Sequence, residues 1–217
     1  MKTPVKATLI AIAVAIVLAI VGIVYAMSQR AADPAPPEGE RLQTVRTDSH
    51  VLDDGGPDAV TVVEFLDFEC EACAAFYPIA EDLREKYDGE ITYVVRYFPL
   101  PGHINSTQAA LAAEAAAEQD RFEDMYHRLF ETRGQWGEQA EETPEVFRAL
   151  AAELGLDMAA YDAAVAAPAT LERVQADKSD GEQLGVRSTP TFFVDGEPVG
   201  LEAWDDLEAA LEQAVHG

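Results

Sequence analysis

The chain has 217 residues and a formal net charge of -25, from 40 acidic against 15 basic side chains. With lysine confined to Lys2, Lys6, Lys86 and Lys178, no polyanionic partner and no nucleic acid is expected, because phosphate recognition needs clustered Lys and Arg. The acidity is spread along the chain as a solvated surface, and the length remaining after an N-terminal apolar stretch suits one globular domain.

That stretch, ATLIAIAVAIVLAIVGIVYAM at 7–27, is uncharged and long enough as a helix to cross a bilayer core. Lys2 and Lys6 precede it, which predicts a cytoplasmic segment at 1–6, a single-pass transmembrane anchor at 7–27 and the remainder outside the cytoplasm. A cleaved signal peptide is the alternative, with Val24-Tyr25-Ala26 as a small-residue cleavage site, although apolar cores of signal peptides are shorter. Residues 28–48, rich in Pro, Ala, Glu and Arg, predict a flexible tether, and 49–217 the folded domain. Either outcome places the two cysteines in a compartment where disulfides persist.

A Gly-Pro turn at 53–57 introduces the β-branched run Val60, Val62, Val63, Phe65, Leu66, which predicts a strand. It leads into Cys70-Glu71-Ala72-Cys73 and then into helical spacing that stops near Asp88-Gly89. A second β-rich run at 91–98 completes a βαβ unit with a parallel, right-handed crossover. From about 104 to 184 the pattern is helical, with segments at 107–118, 121–132, 144–154 and 158–166 punctuated by Gly134, Gly137, Gly155 and Pro168. This predicts a helical subdomain inserted into the α/β core. Pro144 after Thr143 fits a first-turn proline, and Asp157 fits an N-cap. Phe122, Tyr126, Phe130, Phe147 and Tyr161 fall at helical spacing and are assigned to packing, as are Trp136 and Trp204. Strand character returns at 191–194, turns at Asp195-Gly196 and continues near Pro198-Val199. A last helix at 203–215 turns Leu207, Leu211 and Val215 inward.

The chemistry concentrates at Cys70 and Cys73. They are the only cysteines, so any disulfide within the chain joins them, and closing so short a loop removes little chain entropy. At the start of a helix, unpaired backbone N–H groups and the positive end of the dipole favour a Cys70 thiolate, which points to disulfide exchange. A copper- or zinc-handling module is the non-enzymatic rival; it would have to recruit His50, His103, His127 or His216, none of which forms a ligand-spaced pair. Glu64 sits inside an apolar strand, where an unpaired carboxylate is costly to bury unless the strand turns it outward. Thr189-Pro190 opens the late strand, and on local grounds the proline is either an ordinary strand-initiating trans residue or a fixed cis one.

Several pieces together resemble the DsbA-like thioredoxin-fold family, in particular its membrane-anchored bacterial thiol–disulfide oxidoreductases. They are Val62-Val63-Glu64-Phe65 ahead of Cys70-Glu71-Ala72-Cys73, then Arg96-Tyr97-Phe98-Pro99-Leu100 with His103, the helical insert, and Ser188-Thr189-Pro190-Thr191-Phe192-Phe193-Val194. The resemblance covers the chain from about residue 49 and implies a thioredoxin fold of βαβ–ββα form with an inserted helical subdomain. It implies a cis Pro190 facing the cysteines, with the Thr189 backbone free to pair with an extended substrate, and Glu64 beneath the disulfide as acid/base for Cys73. Glu71, Ala72 and His103 would line the site; His103 is otherwise a surface-loop residue. No metal or cofactor is implied. The partners implied are cysteine-bearing extracytoplasmic proteins and a membrane redox protein of quinone-linked or vitamin-K-epoxide-reductase-like type. The direction implied is disulfide formation, with reductase or isomerase as the alternative on the same fold. One departure stands out: Glu71-Ala72 occupies the place where strong oxidants carry a histidine, with Glu69 and Asp67 nearby. Negative charge there predicts a higher Cys70 pKa than in a histidine-containing site and a less oxidising couple.

Overall fold

The computed structural model describes residues 43–217. The anchor expected at 7–27 and most of the expected tether lie outside the described residues; among those described, no helix is long and apolar enough to cross a membrane.

The centre of the fold is β2 (Val60–Leu66), whose near-continuous apolar sequence suits a strand buried on both faces. It pairs in parallel with β3 (Ile91–Tyr97), from Val60 opposite Ile91 to Leu66 opposite Tyr97, and antiparallel with β4 (Thr191–Val194). Two edge strands complete a mixed five-stranded sheet in the order β1-β3-β2-β4-β5: β1 (His50–Asp53), antiparallel to β3, and β5 (Glu197–Pro198), the return of the Asp195-Gly196 turn. The crossover from β2 to β3 is α1 (Glu71–Lys86). Then follow α2 (Ser106–Ala117), α3 (Phe122–Trp136), α4 (Pro144–Glu153), α5 (Met158–Ala166) and α6 (Pro168–Gln183), and α7 (Asp206–His216) ends the chain.

Strand alternation sorts the core into two layers. Val62, Leu66, Tyr93, Val95 and Phe192 face α1 and α7, meeting Phe76, Ala80, Leu83, Leu207 and Leu211. Val63, Phe65, Val94, Phe98 and Phe193 form the smaller layer on the other face. There α6 approaches so closely that a Cβ on Gly181 would lie 2.8 Å from the Phe98 ring, which explains a glycine inside a helix.

Three features differ from expectation. The edge strand β1 precedes the predicted elements: its residues alternate weakly, and it is tied down by the stacking of His50 on Phe122 and by the His50–Glu114 contact of 2.6 Å. Pro168 separates two helical segments as expected and is the first residue of α6, where a first-turn proline has no N–H to waste. Gly134 lies inside α3, which runs on to Trp136. The aromatics assigned to packing are buried, as is Trp136, whose ring meets Phe147 edge-on. Trp204 is not: 58% of it is exposed.

A buried charge network joins β3 to α6. Arg96, without solvent contact, donates from Nε to Asp177 at 2.7 Å and from Nη2 to Asp180 at 2.8 Å, and Asp177 also accepts the Tyr97 N–H. Arg173 reaches the same Asp177 carboxylate at 2.7 Å.

Candidate active site

β2 releases the chain at Leu66, and Asp67-Phe68-Glu69 carries it to Cys70, which stands at the N-cap of α1 in extended conformation. Two buried carboxylates hold this connection. Asp67 accepts the N–H groups of Glu69 and Leu100, both at 2.9 Å, and contacts His103 Nδ1 at 2.7 Å. Glu69 accepts the N–H of Asn105 at 2.6 Å and of Glu138 at 3.1 Å, while its carbonyl accepts from Arg133 Nε. The helical region thereby fixes the loop that presents the cysteines.

Both cysteines are free thiols. Cys70 retains 8% of its surface and Cys73 none. The Thr189–Pro190 peptide is cis, and the Cys70 thiol donates to the Thr189 carbonyl oxygen at 3.4 Å, so the late loop closes over the start of α1. Hydrogen bonding from the Cys73 thiol, opposed by burial and helped by the Thr189 hydroxyl and the Cys73 and Ala72 N–H groups, brings the Cys70 pKa down to about 5. Cys73 moves the opposite way, well above its ordinary value, because of burial first and then its neighbours Cys70 and Glu64. Two sulfurs three residues apart thus differ sharply in acidity.

Glu64 is 2% exposed and occupies the α1 face of β2, so the outward-facing alternative falls away. Its Oε2 accepts the Tyr93 hydroxyl at 2.7 Å. Burial, only partly offset by that hydrogen bond, lifts its pKa to about 7.

The acidic residues expected to raise the Cys70 pKa are compensated or turned away. The Asp67 and Glu69 carboxylates are occupied by N–H donors, and Glu71 points to solvent, where hydrogen bonding with Glu138 raises its own pKa. His103 is placed on Asp67, one loop behind the cysteines. The histidines a metal site would need are engaged apart from one another: His50 with Glu114 and His127 with Tyr77. Among the described residues no cluster of three or more His, Cys, Asp or Glu is placed to hold a metal ion.

Beside the cysteines a largely apolar groove of about 370 Å³ is lined by Ala72, Phe76, Pro190, Leu201, Ala203 and Trp204, with Glu202 the one charged residue on its wall among the described residues. The Trp204 ring lies 5.9 Å from that of Phe76. This is where the tryptophan assigned to packing belongs instead: a large aromatic left half in water on the wall of a groove. Its sequence carried no signal of that role, since Leu201 to Asp205 match no motif.

A thioredoxin fold with a helical insert and a two-cysteine turn against a cis proline defines a class of thiol-active proteins. A family model described as thioredoxin matches residues 49–213, and the chain belongs to that family. In structure it is similar to a thioredoxin-like oxidoreductase from Silicibacter pomeroyi, at 27% identity and a TM-score of 0.66, covering 81% of this chain and 96% of that one. It shares its fold with BdbD from Bacillus subtilis (24% identity, TM-score 0.68, 78% and 94% covered) and α-DsbA1 from Wolbachia pipientis (20%, 0.68, 80% and 94%). Among curated sequences it is 41% identical over 143 residues to the Na(+)/H(+) antiporter NhaA of Herminiimonas arsenicoxydans, covering 65% of this chain and 22% of the antiporter. The match to antiporter NhaA 1 of Mycolicibacterium gilvum is 35% identical over 167 residues, 75% of this chain and 26% of that protein. The chain spans about a quarter of the length of the curated relatives it matches.

Proposed function

We propose that Cys70 and Cys73 are the catalytic pair of a disulfide-forming oxidase acting on proteins outside the cytoplasm, with 7–27 as membrane anchor, 28–48 as tether and 49–217 as the catalytic domain. The observation that carries this reading is the split in acidity between Cys70, which keeps 8% of its surface and stands at about 5, and Cys73, which is fully enclosed and raised well above its ordinary value. A substrate thiolate attacks Cys70 Sγ of the disulfide form. The substrate–Cys70 bond forms, the Cys70–Cys73 bond breaks, and the electron pair leaves on Cys73, which takes a proton from Glu64. A second substrate thiolate then attacks the substrate sulfur of the mixed disulfide and expels Cys70 as a thiolate. The substrate dithiol is oxidised to a disulfide and the enzyme disulfide reduced to a dithiol.

Two features support the oxidising direction. A Cys70 thiolate stable near neutral pH is a good leaving group and favours the dithiol form, which makes the disulfide form a stronger electron acceptor. The weaker oxidant expected from Glu71-Ala72 is relative to a histidine-containing site; here the neighbouring Asp67 and Glu69 carboxylates accept backbone N–H groups. The groove between Pro190 and Trp204 offers an apolar segment of substrate a place beside the Thr189 backbone, with Ala72 as part of its wall. Reoxidation requires a two-electron acceptor, which we assign to a membrane protein of quinone-linked or vitamin-K-epoxide-reductase-like type.

Trapping tests the reading. A Cys73→Ala variant expressed as the full chain should accumulate Cys70-linked mixed disulfides with extracytoplasmic proteins, and the purified disulfide form should introduce disulfides into a reduced, unfolded substrate. Absence of adducts, or net reduction of an oxidised substrate under the same conditions, overturns it.

A further inference from the structure

Glu64 is a carboxyl group enclosed in the core with one hydrogen-bond partner among the described residues, Tyr93 Oη at 2.7 Å, itself without solvent contact. Around the pair, α1 contributes Cys73, Glu81 and Arg84, and α3 contributes Tyr126. Glu81 opposes ionisation of Glu64 and Arg84 favours it, but Arg84 is committed elsewhere: to Asp53 at 2.5 Å, Glu81 at 2.8 Å and Glu123 at 2.6 Å. Its guanidinium carbon lies 5.8 Å from the centre of the Tyr93 ring. Tyr126 Oη is buried and makes no hydrogen bond among the described residues. Among the described residues only Tyr93 places a proton donor on the carboxylate.

We propose that the Tyr93 hydroxyl is the positioning group that sets the proton affinity of Glu64, and through it the pH at which Cys73 becomes a nucleophile. The inference rests on the exchange reading above. When Cys73 attacks a mixed disulfide at Cys70, its proton passes to Glu64. The Cys70–Cys73 bond forms, the bond from Cys70 to the leaving thiol breaks, and the electron pair departs on that thiol. A hydrogen bond to the carboxylate stabilises the ionised, proton-accepting form. Without Tyr93 Oη, Glu64 stays protonated to higher pH and Cys73 activation moves up with it. With the bond in place the midpoint of Glu64 stands at about 7, where one group serves as acid in the forward step and as base in the return.

The test uses the reduced protein and Ellman's reagent in stopped flow. Cys70 releases a first thionitrobenzoate, and attack by Cys73 releases the second. The second rate in the unaltered protein should rise through a midpoint near 7. Tyr93→Phe keeps the ring and should move that midpoint up by about one pH unit or more, the tenfold that loss of a hydrogen bond to a charged group implies. Tyr126→Phe, which removes a buried hydroxyl that does not touch Glu64, should leave it in place. Glu64→Gln should abolish the inflection. If Tyr93→Phe does not fold, 3,5-difluorotyrosine in place of Tyr93 retains the hydroxyl, donates more strongly and should move the midpoint down. An unchanged midpoint in Tyr93→Phe or with difluorotyrosine, or an equal displacement in Tyr126→Phe, overturns the role of Tyr93 while leaving the exchange reading intact. Absence of any second release in the unaltered protein overturns the exchange reading itself.

Discussion

Cys70 and Thr189, 119 positions apart, meet where the thiol donates to the Thr189 carbonyl oxygen at 3.4 Å. This contact brings the two halves of the sheet to one point: the turn that leaves β2 and the turn that enters β4, its antiparallel neighbour. A thiol placed there meets an acceptor from the β4 side and the Cys73 thiol and the Ala72 and Cys73 N–H groups from the α1 side, and the latter lower its pKa.

The acidity of Cys70 makes the stability of the dithiol form depend on pH. Its pKa falls from 9.0 to about 5 on folding, so between those values the unfolded chain binds more protons and stability rises with pH. The stabilisation is complete above the unfolded value and is lost as pH falls through the folded one. Thermal unfolding of the dithiol form, referenced to the disulfide form, should therefore gain on it from pH 5 to pH 8. A difference that stays flat across that interval contradicts the low Cys70 value, as would iodoacetamide alkylation with a midpoint near 9.

Glu64 has the reverse effect. Its pKa rises from 4.5 to about 7, so stability falls as pH rises through that window, and the cost is complete above it. For a fully buried group this corresponds to about 3 kcal/mol. Glu64→Gln should stabilise the protein by roughly that amount more at pH 8 than at pH 4, as read from urea unfolding, while slowing exchange. Equal effects at the two pH values would mean that the carboxyl is not buried as an acid.

How far the site was legible follows from what each residue had to signal. The cysteines, the apolar strand before them and the late Thr-Pro-Thr are local patterns, and the structure brings their members together. The helix α6 was blurred because its buried stripe is Thr170, Val174, Asp177 and Gly181, which has helical spacing but little hydrophobicity. Its inward face is specified by partners distant in sequence: Arg96 for Asp177, and the Phe65 and Phe98 rings for Gly181. The hydrogen bonding of the active-site turn is hidden in the sequence for a similar reason. Asp67 and Glu69 count as negative charges in the sequence, but backbone N–H groups from Leu100, Asn105 and Glu138 meet them only in the folded chain.

The Arg96–Asp177 pair yields a stability prediction separate from the chemistry. Asp177→Ala leaves two guanidinium groups, those of Arg96 and Arg173, without their shared carboxylate in the interior. Removing one member of a buried charge network costs about 3–5 kcal/mol, because the remaining charge stays desolvated. Urea unfolding should show a loss of that size, and the paired substitution Arg96→Met with Asp177→Leu should recover part of it. Exchange with a small thiol should persist below the lowered unfolding temperature. A loss under about 1 kcal/mol would mean that water reaches the site and screens it as at a surface.

Trp204 separates binding from chemistry. It is exposed and packs on one side against Phe76, so its removal should leave the fold and the reactivity of Cys70 unaffected. Aromatic residues at the wall of an apolar groove carry a disproportionate share of binding energy, and truncating one typically costs more than 1 kcal/mol. For Trp204→Ala this corresponds to about a tenfold rise in KM for a cysteine peptide flanked by apolar residues. The rate with dithiothreitol should be unchanged, and so should the effect of pH on Cys70 alkylation. If KM for the apolar peptide holds steady, or if the small dithiol slows in parallel, the groove is not where substrate lies.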